Sequence, residues 1–164
     1  MAGRRCTLPQ HDLTLHLVHG TLTSADVSQY FRSLNSSCCA TRWLHYFDPT
    51  ADMAQIDIAS VPELRRIIAE TRKELFGDHP KPFAVVCASE GSQQYFFGFW
   101  LKYFSGPDAQ AENLCCFRSL EAAYDWLELP QASRAAVAGA IEDWETARAR
   151  DERERPAAQA GPNL

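Results

Sequence analysis

KPFAVVCAS, residues 81–89, holds an unbroken apolar run from Phe83 to Ala88. A strand with one wet face alternates polar and apolar residues, whereas a run without polar interruption reads as a strand covered on both faces. Such a strand belongs at the centre of an α/β sheet, and the flanking segments fit that reading. LTLHLVH, 13–19, alternates: Leu13, Leu15 and Leu17 fall on one side, Thr14 and His16 on the other. It reads as a half-buried strand ended by Gly20. TRWLHYF, 41–47, is a further strand, broken by DPTAD, and NLCCFR, 113–118, is another.

Helical spacing fills the gaps. Val27, Tyr30, Phe31 and Leu34 share a face after a cap at Thr23 or Ser24, with Asn35 as the stop. In SVPELRRIIAETRKELFG, Ser60 and Glu63 have capping-box spacing, and Pro62 suits the first turn. Leu64, Ile67, Ile68, Leu75 and Phe76 form the apolar face, and Gly77 the stop. SLEAAYDWLEL, 119–129, is a short helix with Leu120, Ala123, Tyr124 and Leu127 on one side. Strands alternating with helices predict an α/β sandwich on a largely parallel sheet. The domain covers 1–129. A C-terminal helix follows over 130–155, with Val137, Ile141 and Trp144 at i, i+4, i+7, and a disordered tail over 156–164.

The order of these pieces resembles the SpoIIAA-like group of STAS-type domains. The matching residues are LHLVHGTLTSADV, LHYFD ending at Asp48, FAVVCAS with a Gly-containing amphipathic helix after it, and CCFRSLEAAYDWL, over about residues 12–129. The resemblance implies a STAS-like sandwich: a small mixed, mostly parallel sheet with packed helices. It also implies a regulatory or scaffolding module that binds a protein partner and is not an enzyme. Relatives carry a phosphorylated serine directly after an aspartate. Here Ile58 follows Asp57, and Ser60 already has a capping role, so the switch does not carry over. The family's arginine three residues after the helix glycine is also missing, because Leu101 stands there after Gly98.

The charge balance narrows the partners. A net charge of −5 argues against a nucleic-acid surface, which needs clustered Lys and Arg. MAGRRCTLPQHD has two arginines with no apolar stretch behind them, so no secretory signal is expected. The six cysteines are read as reduced thiols of a cytoplasmic chain. Cys115 and Cys116 are adjacent in a strand and point to opposite faces, so no metal site is expected. The five histidines, 11, 16, 19, 45 and 79, are read as strand-surface residues.

Catalytic signatures are sparse. No GxGxxG, Walker loop or GxSxG is present, and no cofactor is expected. Cys87 sits before a helix start, a position that lowers a thiol pKa, but CASEGSQQ lacks the arginine that thiol phosphatases use. A thiol enzyme using Cys87 is therefore the minor alternative. Ligands of open α/β sheets bind beyond the carboxyl ends of the strands, which makes Asp48, Ser89, Gly91 and Arg118 candidates for a ligand or partner. A structural Asp48–Arg118 pair is the competing expectation.

QQYFFGFWLKYF, 93–104, packs seven rings into the ten positions from Tyr95 to Phe104. On a helix begun by a Ser89 cap they sweep about two-thirds of the circumference, against the ~100° stripe that one sheet face needs. The run is too short to span a membrane. A second cover is expected: another copy of the chain, the C-terminal helix, or an apolar ligand or lipid. Phe96, Phe97, Trp100 and Phe104 are the interface candidates.

Overall fold

The computed structural model describes residues 3–34, 40–77, 81–95 and 113–154. Among them are a mixed five-stranded sheet and five α-helices, an α/β architecture. The strands are β1 (Gly3–Leu8), β2 (Leu13–Val18), β4 (Arg42–Phe47), β6 (Phe83–Cys87) and β7 (Leu114–Phe117), in the spatial order β1-β2-β4-β6-β7. β1 runs antiparallel to β2, and every later pairing is parallel. Two short strands, β3 (Thr21–Thr23) and β5 (Asp52–Gln55), pair in parallel as a second small sheet. The helices are α1 (Ser24–Arg32), α2 (Val61–Phe76), α3 (Glu90–Gln93), α4 (Leu120–Trp126) and α5 (Gln131–Glu154).

The apolar run at 83–87 is the strand it was expected to be, buried at every position between β4 and β7. β2 departs from its alternation. All six of its residues are buried, Thr14 and His16 included. Helices cover the face that carries Thr14 and His16, while the edges of β2 pair with β4 and with β1, a strand from the amino-terminal stretch that shows no strand pattern of its own. β1 joins by backbone pairing, Leu8 opposite Leu13 and Gly3 opposite Val18. A 3-10 turn at Pro9–His11 and a left-handed Asp12 (φ 49°) reverse the chain between them.

Register sorts the side chains into two faces. His16 lies opposite His45, and His45 opposite Val85, so these residues share a face with Trp43, Phe47, Phe83 and Cys116. α1 and α2 cover this face with Tyr30, Phe31, Leu64, Ile67 and Ile68. Burying each such side chain contributes roughly 1.5–3 kcal/mol. Leu13, Leu15, Leu17, Leu44, Ala84 and Val86 point the other way and are almost completely buried. α4 packs against β6 and β7 on that side, where Trp126 meets Phe117 with ring centroids 5.7 Å apart.

The caps are distributed differently from the sequence pattern. Thr23 caps α1 through a full capping box: its hydroxyl accepts from the Asp26 N–H, and the Asp26 carboxylate accepts from the Thr23 N–H. Ser60 makes no such box. Its hydroxyl donates to the Asp57 carbonyl and meets the Ser24 hydroxyl, both at 2.6 Å, while Glu63 pairs with Arg66 at 2.7 Å. Ser89 caps α3 as expected.

The chain divides into two compact units, 1–129 and 130–164. The second contributes α5, one continuous helix. Its exposed end carries i,i+4 ion pairs, Arg148 with Glu152 and Arg150 with Glu154. No helix among the described residues is long and apolar enough to cross a membrane. Residues 96–104 lie outside the described residues. So do the interface candidates Phe96, Phe97, Trp100 and Phe104, the expectations about what covers them, and the tail expected at 156–164.

Candidate functional site

A cavity of about 50 Å³ lies on the face covered by α1 and α2. Val18, Leu22, Val27, Phe31, Met53 and Ile68 supply much of its apolar lining. Into this lining the sheet places His16 and His45, and α1 places Tyr30. The capping box fixes where α1 starts, and two turns later Tyr30 and Phe31 face the sheet.

The three polar rings form one cluster. Tyr30 stacks on His16 with centroids 3.9 Å apart and planes 5° from parallel. His45 meets both edge-on, and its Nε2 is 3.1 Å from the Tyr30 hydroxyl. Phe83 lies 4.4 Å beyond His45. The two histidines were expected at the strand surface. Instead His16 is 5% exposed and His45 4%, because α1 and α2 cover the side of the sheet that the alternation assigned to water. His79 lies outside the described residues.

Burial dictates their protonation. Desolvation, reinforced by the positive charge of Arg5, pushes His16 down to about 3. Burial, with a smaller contribution from His16, holds His45 well below the usual imidazole range. Both rings are neutral at pH 7, and a neutral imidazole has one donor and one acceptor nitrogen. His45 uses one nitrogen on Tyr30. His16 uses neither: Nδ1 and Nε2 are both buried with no hydrogen-bond partner among the described residues. Each unanswered polar atom costs about 1–3 kcal/mol. Thr14 Oγ1, on the same face, is also unanswered among the described residues.

Gly3 of β1 lies close against the His16 ring. A Cβ there would stand 2.9 Å from His16 Nε2 and 2.9 Å from the Leu17 carbonyl. Any side chain at position 3 would push the strand or the imidazole aside. Two charged residues also line the cavity, and both are engaged. Asp26 belongs to the capping box. Arg72 donates to the Lys81 carbonyl at 3.3 Å and lies 5.6 Å over the Phe83 ring.

The residues singled out beyond the strand ends lie elsewhere, and none of the four lines this cavity. Asp48 is fully buried and accepts from the Thr50 N–H at 2.8 Å and the Thr50 hydroxyl at 2.7 Å, a turn-forming arrangement. Ser89 caps α3 and donates to the Ala51 carbonyl at 2.9 Å, which ties it to the Asp48 turn. Gly91 and Arg118 are exposed.

Cys87 sits before α3, where a thiol pKa was expected to fall. Burial instead pushes it up to about 12, against a smaller opposing hydrogen bond from Ser92. The thiol is therefore protonated at neutral pH. Cys6, Cys87, Cys115 and Cys116 are all free thiols. Among the described residues no group of three or more His, Cys, Asp or Glu side chains could hold a metal ion.

Family models, curated proteins and solved structures give no match to this chain.

His16, His45, Tyr30 and Gly3 escape a reading by motif. A usable signal existed in two histidines standing in adjacent, mostly apolar strands. The register that joins them depends on pairings that the sequence does not spell out.

Proposed function

We propose that the chain is a binding module whose ligand is a small, largely apolar molecule held between α1, α2 and the sheet. One observation carries this: an apolar cavity at the heart of the fold, lined in part by the stacked rings of Tyr30 and His16. Small-molecule sites are concave and predominantly apolar in their lining. The resemblance to STAS-type domains supports a binding role over a chemical one. The test is xenon, a probe of dry apolar cavities. Under xenon pressure the methyl signals of Leu22, Val27, Ile68 and Val85 shift saturably, while those of Leu13 and Leu44 stay still. No response in the first group would refute the reading.

A second reading has support of its own in the sequence. Seven rings in the ten positions from Tyr95 to Phe104 favour self-association or a protein partner, as a STAS-like regulatory module would use. A clean monomer in sedimentation at tens of micromolar, with Phe97→Glu and Trp100→Glu both harmless to solubility, would end it.

A further inference from the structure

Resting on the cavity reading above, we infer that the ligand is a compact aliphatic hydrocarbon of about three or four carbons, free of polar atoms and enclosed whole. The wall decides the chemistry. No polar atom is exposed in it, although several residues of the lining carry polar groups. The Tyr30 hydroxyl is 3.1 Å from His45 Nε2. The Asp26 carboxylate accepts from the Thr23 N–H at 2.9 Å and the Thr23 hydroxyl at 2.7 Å. Arg72 donates to the Lys81 carbonyl and lies over the Phe83 ring. His16 Nε2 stands beside Gly3 of β1, which is not part of the lining.

A hydroxyl, amine or carboxylate brought inside would therefore give up its water and meet no partner. An alkyl group has no hydrogen bond to lose. It gains dispersion contacts with Val18, Leu22, Phe31, Met53 and Ile68.

Enclosure decides the size. Asp26, Val27 and Leu114 are half-buried, and every other residue of the lining is buried. The space is closed in on most sides, which suits a whole small molecule better than a chain trailing into water. At ~10–15 Å³ for each water-sized group, a volume of about 50 Å³ holds about three or four of them. An engineered apolar cavity that binds benzene measures ~150 Å³, so an aromatic ring is too large here.

The experiment titrates the full-length protein, with ¹³C-labelled methyl groups, with xenon, propane, ethanol, benzene and 1-octanol. The methyl signals of Leu22, Val27, Ile68 and Val85 are read against those of Leu13 and Leu44. Propane is expected to shift the first group saturably and to displace xenon. Ethanol matches propane in heavy atoms but must bring its hydroxyl inside, and it should bind about tenfold more weakly or worse. Benzene should leave the first group unmoved. Ethanol binding as tightly as propane overturns the inference, because a polar group would then be within reach. Saturable shifts with benzene overturn the size limit. Tighter binding of 1-octanol than of propane overturns enclosure, because the occupant would then be the end of a longer chain. Propane failing where xenon binds also overturns the inference. Absence of xenon binding removes the cavity reading itself, a distinct failure.

Discussion

The two faces of the sheet are filled by different chemistry. On the side where α4 packs, the most deeply buried sheet residues are aliphatic, Leu13, Leu15, Leu17, Leu44, Ala84 and Val86, with Tyr46 and the Phe117–Trp126 pair beside them. On the side beneath α1 and α2, rings dominate: His16, Trp43, His45 and Phe83 from the sheet, Tyr30 and Phe31 from α1. Branched aliphatic chains interdigitate and close up the space between layers. Flat rings fixed by stacking and hydrogen bonds cannot slide to fill a gap, and the cavity lies among them. The difference teaches where this fold can bear function. One face is specialised for stability, and the other gives up some packing to hold oriented polar groups.

Charge is the sharpest way to separate the faces. Val86 is 1% exposed at the centre of the aliphatic side. Val86→Asp buries a carboxylate with nothing to pair it, a cost that exceeds the ~5–15 kcal/mol by which a domain is stable. Circular dichroism should show no cooperative thermal transition at pH 7. A folded variant would mean that the aliphatic face is looser than its burial indicates.

Lowering the pH charges these histidines in the unfolded chain and sets that charge against the ring face. His16 titrates at about 3 when folded, below its ordinary 6.5, and His45 is shifted in the same direction. The unfolded chain therefore takes up protons first. The stability from keeping the rings neutral is complete above pH 6.5. It is lost as the pH falls towards 3, at about 1.4 kcal/mol per pH unit for each histidine. Urea midpoints measured between pH 7 and 4.5 should fall steadily. His16→Phe should flatten that slope, and an unchanged slope would show that His16 is not the buried neutral ring described. Carboxylates such as Asp26, held low by the Thr23 hydroxyl and N–H, respond below this window.

The smallest effect tests whether polar atoms limit the packing of the ring face. Thr14 is fully buried, with its hydroxyl unanswered among the described residues. Thr14→Val exchanges that hydroxyl for a methyl of similar size. A gain of about 1 kcal/mol in chemical denaturation is expected, and a loss would reveal a partner for the hydroxyl.

Much of the framework was legible before the structure, because it rests on local signals. The apolar run at 83–87, the periodicity of 61–76 and the Ser89 cap are readable from a few neighbouring residues. The site was not, for a related reason. His16 sits in an alternating strand, and alternation reports which residues share a face without saying whether that face is wet. Whether Thr14 and His16 meet water depends on α1 and α2, which arrive from elsewhere in the chain. β1 was missed because Gly3, Arg4 and Arg5 carry no strand pattern, and its pairing runs through the backbone. The capping box appeared at Thr23 and Asp26 and not at Ser60, although both sequences allow one, because Ser60 is drawn to Ser24 across the space between two helices.

Arg4 and Arg5, read along the chain, are two charges in a stretch with no apolar segment behind them. In the fold they stand exposed on β1, the outermost strand of the sheet, whose single neighbour among the described residues is β2. An open strand edge is a template on which another copy could add and aggregate, and positive charge along it is a known deterrent. The same six residues therefore admit the His16 ring inward, through Gly3, and discourage fibre-like growth outward, through the two arginines.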